Sequence, residues 1–281
     1  MKLGLVIHPR KKLARKLGGE LLAYGNELVE KGADLEFILS EETAKKLDRT
    51  DLNVSKISKM DVEAIICLGG DGTLLRVLRT ARKPVLGINV GSLGFLMEVE
   101  PAKFRDAVDR LLDKRYSIDK RARIRTLLNG EKLHDATNEA VLITSTPSKI
   151  QSYEMIVDMF MREKLRADGI IICTPTGSTG YAMSAGGSIL DPKLDALEIV
   201  PIAPFMNNMK PLIVPDSYLI SMKVSGKSNS ASLVIDGSTR RTVKPGDDLL
   251  FTRSKEDAQL VKFDTSFYTK YQEKIINSKT K

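Results

Sequence analysis

Residues 63–69, EAIICLG, are apolar at every position after the first. Successive side chains of a strand point to opposite faces, so an unbroken apolar strand needs a covering layer above and below it. That is the interior of a parallel sheet. LGLVI (3–7) and PVLGINV (84–90) share the texture, and DLEFIL (34–39) reads as a further strand. Between them, KKLARKLGGELLAYGNELVEKG, TLLRVLRTA and AKFRDAVDRLLDK repeat apolar residues at helical spacing, the first ending at Gly32 and the last entered after Pro101. Strands alternating with helices predict an α/β domain with a parallel sheet covered by helices on both sides.

From about residue 116 strands follow one another directly. Asn129-Gly130 in RIRTLLNGEKLHDATNEAVLITS marks a hairpin, and YEMIVDMF, DGIIICT, LIVP, YLISMKV, ASLVID and LLFTRS continue the series. The expected division is an α/β domain over 1–115, a β-rich domain over 116–262, and a closing helix and tail over 263–281, with Phe267, Tyr271 and Ile275 at helical spacing. Arg121, Arg123 and Arg125 alternate with Ala122 and Ile124, which predicts a strand with one solvated face.

A net charge of +8 admits nucleic acid or an anionic metabolite as partner, or no specific partner at all. With no tryptophan and 5% aromatic residues there is no platform for stacking bases, so no nucleic acid is expected. No apolar run approaches the roughly 18–20 residues of a membrane span, so no membrane is expected either. The opening MKLGLVI is too short for the apolar core of a secretory signal and reads as a first strand. Cys67 and Cys173 are the only cysteines, which argues against a disulfide framework and for the cytosol. His8 and His134 read as turn residues.

Chemistry concentrates at four places. In GGDGT a strand hands over to a helix through Gly69, Gly70 and Gly72, where bare N–H groups and the helix dipole can cradle a phosphate. Thr73 is the expected N-cap of a helix beginning at Leu74. Asp71 would repel a phosphate, so it is either a plain turn residue or a group that meets Mg²⁺ or takes a proton from an attacking hydroxyl. Neither the Rossmann nor the P-loop pattern has such a central carboxylate. Thr174, Thr176, Ser178 and Thr179 crowd the turn TPTGSTGYAMSAGG, where Tyr181 offers a flat face to a nucleoside. GINVGSLGF (87–95) is another glycine turn at a strand end. Asn138 and Glu139 interrupt an apolar strand and need either a local network or a ligand as partner.

LGGDGTLLR, NVGSLGF, the Asn138–Glu139 pair, DGIIICTPTGSTGYAMSAGG and IDG at 235–237 together resemble the motifs of NAD kinases, over roughly residues 3 to 265. GGDGT alone also occurs in phosphofructokinases and lipid kinases; TPTGSTGY downstream of Asn-Glu is far more specific. The resemblance implies phosphoryl transfer from ATP or polyphosphate to the 2′-hydroxyl of the adenosine ribose of NAD, with Mg²⁺ carried on ATP and no dedicated protein metal site. It implies an α/β N-terminal domain and a β-rich C-terminal domain, the active site in the crevice between them, and a homodimer or homotetramer. Asp71 is then the catalytic carboxylate, and Gly69, Gly70, Gly72 and Thr73 the phosphate loop. Asn138, Thr176 and Thr179 contact adenine, Glu139 a ribose, and Phe95, Gly180, Tyr181 and Ser184 line the dinucleotide pocket. Arg166 and Asp168 reach a neighbouring subunit's ligand. Asp236 receives no role.

Three departures stand out. Gly180 replaces the family's usual alanine, Pro204-Phe205-Met206-Asn207-Asn208-Met209-Lys210-Pro211 replaces a histidine-containing run, and His8-Pro9 replaces Asn-Pro. The rival readings are a diacylglycerol-type lipid kinase and a non-catalytic dinucleotide-binding protein; the first fits TPTGSTGY poorly and Asp71 argues against the second.

Overall fold

A computed structural model describes residues 1–91, 94–146, 149–206, 209–225, 230–263 and 266–277. The unbroken apolar runs become the middle of a sheet. Strands β1 (Lys2–Ile7), β2 (Glu36–Ser40), β3 (Asn53–Ser55), β4 (Ala64–Gly69) and β5 (Val85–Asn89) stand in the order β3-β2-β1-β4-β5. All of these pairings are parallel. Every residue of β4 is buried, as its two apolar faces require. Helices α1 (Lys12–Glu30), α2 (Glu41–Leu47), α3 (Asp71–Leu78) and α4 (Phe104–Leu112) belong to the same unit. In α1, Ala14, Leu17, Leu21 and Leu22 form the buried stripe, packing on Leu5, Ile7 and Leu39 of the sheet.

The chain's end rejoins this unit. Strand Ala258–Lys262 lies between β5 and β6 (Ser117–Arg121) in the sheet, and its Val261 enters the same core. A helix follows over Phe267–Tyr271 and widens to a π-turn over Gln272–Ile276. The expected fraying tail, 278–281, lies outside the described residues. The two compact units are Met1–Lys120 with Gln259–Lys281, and Arg121–Ala258. They differ from boundaries at 115 and 262 because the apolar side chains of Ala258–Lys262 fill the edge of β5 and do not extend the antiparallel series.

The second unit consists of two six-stranded antiparallel sheets. One runs in the order Met161–Ala167, Gln151–Val157, Ile220–Ser225, Asp248–Arg253, Ile124–Leu128, Glu131–Lys132. The other runs Leu212–Pro215, Ala196–Ile202, Gly169–Cys173, Glu139–Thr144, Ala231–Ile235, Thr239–Val243. Tyr153, Met155 and Phe251 from the first share one core with Ile170, Leu197 and Leu233 from the second. Asn129 and Gly130 both take positive φ, 51° and 80°, the turn that the Asn-Gly pair predicts.

The arginine face is a correction. Arg121 is 7% and Arg123 5% exposed, so the alternating arginines turn inward. Buried Asp135 is the reason. Its carbonyl accepts from Arg123 Nη2 at 3.0 Å, its carboxylate lies 3.9 Å from Arg125 Nε, and Ser254 Oγ donates to the same carboxylate. Arg121 Nη1 donates to Thr176 Oγ1 at 3.3 Å.

Candidate active site

β4 ends at Gly69, Gly70 takes the N-cap position in extended backbone, and α3 opens at Asp71. Thr73 is therefore not the cap. It lies buried in the first turn, donating its N–H to the Gly70 carbonyl at 2.9 Å, because Gly70 has already turned the chain. The first amides of a helix have no intrahelical acceptor, which leaves those of this turn for an anion.

Asp71 is held, not solitary. Oδ2 accepts from the Phe95 N–H at 2.7 Å and Oδ1 from the Leu96 N–H at 3.2 Å. Gly94 makes room for this: a Cβ there would stand 1.9 Å from Asp71 Oδ1. Ser92 and Leu93 of the same motif lie outside the described residues. The Phe95 ring carries the Lys274 ammonium 4.5 Å above its centre and packs 6.2 Å from the Phe267 ring.

A cleft of about 620 Å³ opens over Gly70–Thr73, bounded by the turn His8–Lys11 after β1 and by Arg76 and Gly94. Asp71 is the one carboxylate among these lining residues, beside the cations Arg10, Lys11 and Arg76. His8 Nδ1 accepts from the N–H groups of Arg10 at 3.1 Å and Lys11 at 3.2 Å, so a neutral ring carries its proton on Nε2. Burial, with Lys11, Arg76 and Arg10 nearby, lowers its pKa below 6.5. His8 is the satisfied turn residue that the sequence suggests. The three cations escaped sequence reading; their signal is their place at or near the carboxyl end of a parallel strand, where ligands of such sheets collect.

In the second unit, Asp236 organises the Asn138–Glu139 pair. Its carboxylate accepts from the N–H groups of Thr137 at 2.8 Å, Asn138 at 2.8 Å and Glu139 at 3.2 Å. This role was invisible in the IDG turn because the partners are nearly a hundred residues away. On the other side, Gly177 lies so close that a Cβ would stand 2.2 Å from the Asn138 carbonyl oxygen. Thr174 Oγ1 donates to the Thr137 carbonyl and Ser178 Oγ to the Pro175 carbonyl, each at 2.7 Å. Two of the four hydroxyls thus hold the turn itself. Thr176 Oγ1 accepts from Arg121, and Thr179 Oγ1 makes a long 3.4 Å bond to the Thr176 carbonyl.

Asn138 Oδ1 and Glu139 Oε2 are buried with no hydrogen-bond partner among the described residues. An unsatisfied buried acceptor costs about 1–3 kcal/mol, and a ligand donor at this place would remove that cost. Burial and, after it, the Asp236 charge raise the Glu139 carboxyl from 4.5 to about 7. Burial also raises Asp236, against its three backbone N–H bonds. A Cβ at Gly180 would stand 3.6 Å from Glu139 Oε2, so Thr176, Thr179 and Gly180 gather with Asn138 and Glu139. Tyr181, 42% exposed, and Ser184 follow on the short helix Tyr181–Ser184. Arg166 and Asp168 do not join them. Glu139 pairs with Cys173 at one end of strand Gly169–Cys173, whereas Arg166 and Asp168 precede its other end. Arg166 is exposed, its guanidinium 5.0 Å over the Phe205 ring. Asn207 and Asn208, next in that departing run, lie outside the described residues.

The family pattern described as the ATP-NAD kinase N-terminal domain matches residues 4–116, and that of the ATP-NAD kinase C-terminal domain matches residues 137–263. The chain belongs to the NAD kinase family. The NAD kinase of Thermococcus kodakarensis is 38% identical over 279 residues, covering 98% of this chain and 99% of its own. That of Methanosarcina acetivorans is 39% identical over 246 residues, 86% of this chain and 88% of the other. Among solved structures, an NAD kinase from Archaeoglobus fulgidus in complex with ATP superposes with a TM-score of 0.74 at 26% identity, covering 96% of each chain. Yeast NADH kinase complexed with NADH shares the fold at a TM-score of 0.88 and 21% identity, covering 100% of this chain and 88% of that one.

Proposed function

We propose that this NAD kinase transfers the γ-phosphoryl group of ATP to the 2′-hydroxyl of the adenosine ribose of NAD, with Asp71 as the base. The 2′-oxygen attacks the γ-phosphorus, its bond to phosphorus forms as the bond to the β,γ-bridging oxygen breaks, ADP leaves, and the hydroxyl proton passes to the Asp71 carboxylate. Two backbone N–H groups fix that carboxylate in one orientation, which is the observation that carries the reading. ATP as donor is supported by the Archaeoglobus relative, which was crystallised with it. Arg10, Lys11, Arg76 and the amides of Gly70, Asp71 and Gly72 would take the donor's phosphates. In the second unit Asn138, Thr176 and Thr179 would take adenine and Glu139 a ribose hydroxyl, with Tyr181 and Ser184 beside them.

Among the described residues no group of three His, Cys, Asp or Glu side chains could hold a metal ion. One carboxylate in a basic cleft fits Mg²⁺ that arrives on the donor's phosphates, with Asp71 as the protein oxygen in reach; the ion would neutralise charge on the phosphates. A homodimer or homotetramer is supported by Arg166 and Asp168, which stand away from their own chain's Asn138–Glu139 pair, by the outermost strand of one sheet. Full activity in a preparation that sediments as a monomer would rule out that assembly. Both cysteines are buried free thiols, which suits a reducing cytoplasm. No helix among the described residues is long and apolar enough to cross a membrane.

The test is NADP formation from NAD with ATP or polyphosphate and Mg²⁺, for wild type and Asp71→Asn, beside NAD titration by calorimetry. The variant keeps one acceptor for the Phe95 N–H and loses basicity. Turnover is expected to fall at least ~10²-fold with NAD binding changed much less. Turnover within a few-fold of wild type would return Asp71 to the status of a turn residue.

A further inference from the structure

Asp71 is held by a turn, and the turn is held from its other side by the chain's last helix. Phe95 and Leu96 give their N–H groups to Asp71. The carbonyl groups of the same stretch, Phe95 at 3.4 Å and Met97 at 2.6 Å, accept from Nζ of Lys270. Nζ also donates to Glu98 Oε2 at 3.2 Å. An ammonium has three donors, and all three of these acceptors lie within residues 95–98.

The burial of this lysine is the second observation. Lysines are almost never fully buried unless paired, yet the Lys270 side chain is only 8% exposed. Its counter-ion, Glu98, has a side chain only 1% exposed and accepts in addition from Lys262 Nζ at 2.6 Å and the Phe263 N–H at 3.1 Å. Burial would raise the Glu98 carboxyl, but Lys262 and Lys270 hold it below its ordinary value, so the carboxylate stays charged. The rest of the helix meets the same turn: Phe267 packs on the Phe95 ring and Lys274 lies over it.

We propose that Lys270 is a positioning residue for phosphoryl transfer, fixing the carbonyl side of the 95–97 turn so that its amide side presents the Asp71 carboxylate in one orientation. This rests on the reading of Asp71 as the base. If the three donors were needed only to neutralise Glu98, Lys262 would already serve. The two carbonyl bonds are what Lys270 adds: the one to Phe95 falls on the peptide group whose Leu96 N–H holds Asp71, and the one to Met97 anchors the chain two peptide groups further on. Misplacing a reacting group by about 1 Å can cost ~10²-fold in rate.

A double-mutant cycle tests it. Lys270→Met keeps the length and the apolar stem and removes every donor. For wild type, Asp71→Asn, Lys270→Met and the double variant, kcat and KM for NAD and ATP are measured beside the thermal midpoint. Lys270→Met is expected to lower kcat ~10–100-fold at unchanged KM, and to lower it no further in the Asp71→Asn background, because residues that act through one another are not additive. An equal loss in both backgrounds, a change confined to KM, or a kcat within about twofold of wild type overturns the proposal. If Asp71→Asn alone turns over like wild type, the reading of Asp71 fails and takes this inference with it; an essential Asp71 with an additive Lys270 sinks the inference alone. Should Lys270→Met not fold, Lys270→Gln, which retains donors in a shorter side chain, enters the same cycle. A chain that folds with neither assigns Lys270 to stability and overturns the proposal.

Discussion

Glu139 shows how one residue's surroundings set a property that spacing can only hint at. Its Oε2 lies buried without a partner, beside an Asp236 carboxylate that is itself engaged by three backbone amides. Burial first, and the Asp236 charge second, raise the Glu139 carboxyl from 4.5 to about 7. The folded chain therefore keeps this proton over a range in which the unfolded chain has released it. Stability attributable to Glu139 is full below about pH 4.5 and is lost as pH rises towards about 7, a loss on the order of 3 kcal/mol if the whole shift is realised. Glu139→Gln stays neutral and removes that slope. Urea unfolding of both proteins without nucleotide, from pH 5 to pH 8, should show the variant gaining on wild type as pH rises. A constant gap would mean that Glu139 is already ionised at the acid end.

At the scale of elements, the sheet strands β1, β2, β4 and β5 and the helices α1, α3 and α4 were legible because each carries its period over several residues. β3 and α2 were not, since three or seven residues give too few repeats to read. α3 starts three residues earlier than the Thr73 cap predicts, because Gly70 is a poor cap by side chain and serves through its extended backbone. The arginine strand failed for a different reason. Arg121 ends β6 and Ile124 opens a strand of a different sheet, so the alternating run is not one strand with two faces, and alternation does not say what meets each side chain. Asp135, on the far side of the hairpin turn, supplies the buried counter-charge. Among site residues, Asp71, Asn138 and Glu139 stood out by their chemistry, while Asp236 and Lys270 did not, because both act through contacts distant in sequence. Asp135→Ala keeps the carbonyl that accepts from Arg123 but removes the carboxylate that faces Arg125 and accepts from Ser254 Oγ, and should destabilise the second unit by roughly 3 kcal/mol. Denaturant unfolding measures this, and a loss below about 1 kcal/mol would show that water or other acceptors satisfy the Arg125 guanidinium and the Ser254 hydroxyl without the carboxylate.

At the scale of the whole molecule, the second unit is an insertion into the first. The chain leaves the first unit after Lys120 and returns at Gln259. Strand Ala258–Lys262 sits between β5 and β6, and Ser117 Oγ at the start of β6 donates to the carbonyl of Lys262 at the end of the returning strand. Departure and return therefore lie side by side. Nothing local in AQLVK distinguishes a strand that returns from one that continues an antiparallel series, which is why spacing alone placed it in the second domain. The consequence is asymmetric. A fragment of residues 121–258 contains all twelve strands of its two sheets and the core built on Ile124, Tyr153, Ile170, Leu233 and Phe251. A fragment of residues 1–120 lacks the strand that joins β5 to β6, leaving Val85 and Leu86 at an open edge and the core without Val261. The 121–258 fragment is thus expected to melt cooperatively when followed by far-ultraviolet circular dichroism, and the 1–120 fragment to melt broadly or aggregate. Joining 1–120 to 259–281 through a short Gly/Ser linker should restore a single sharp transition, because the two ends to be connected are already neighbours. If 1–120 alone melts as sharply and at the same temperature as the joined chain, the returning strand adds nothing to the first unit's stability, and the insertion is a matter of connectivity alone.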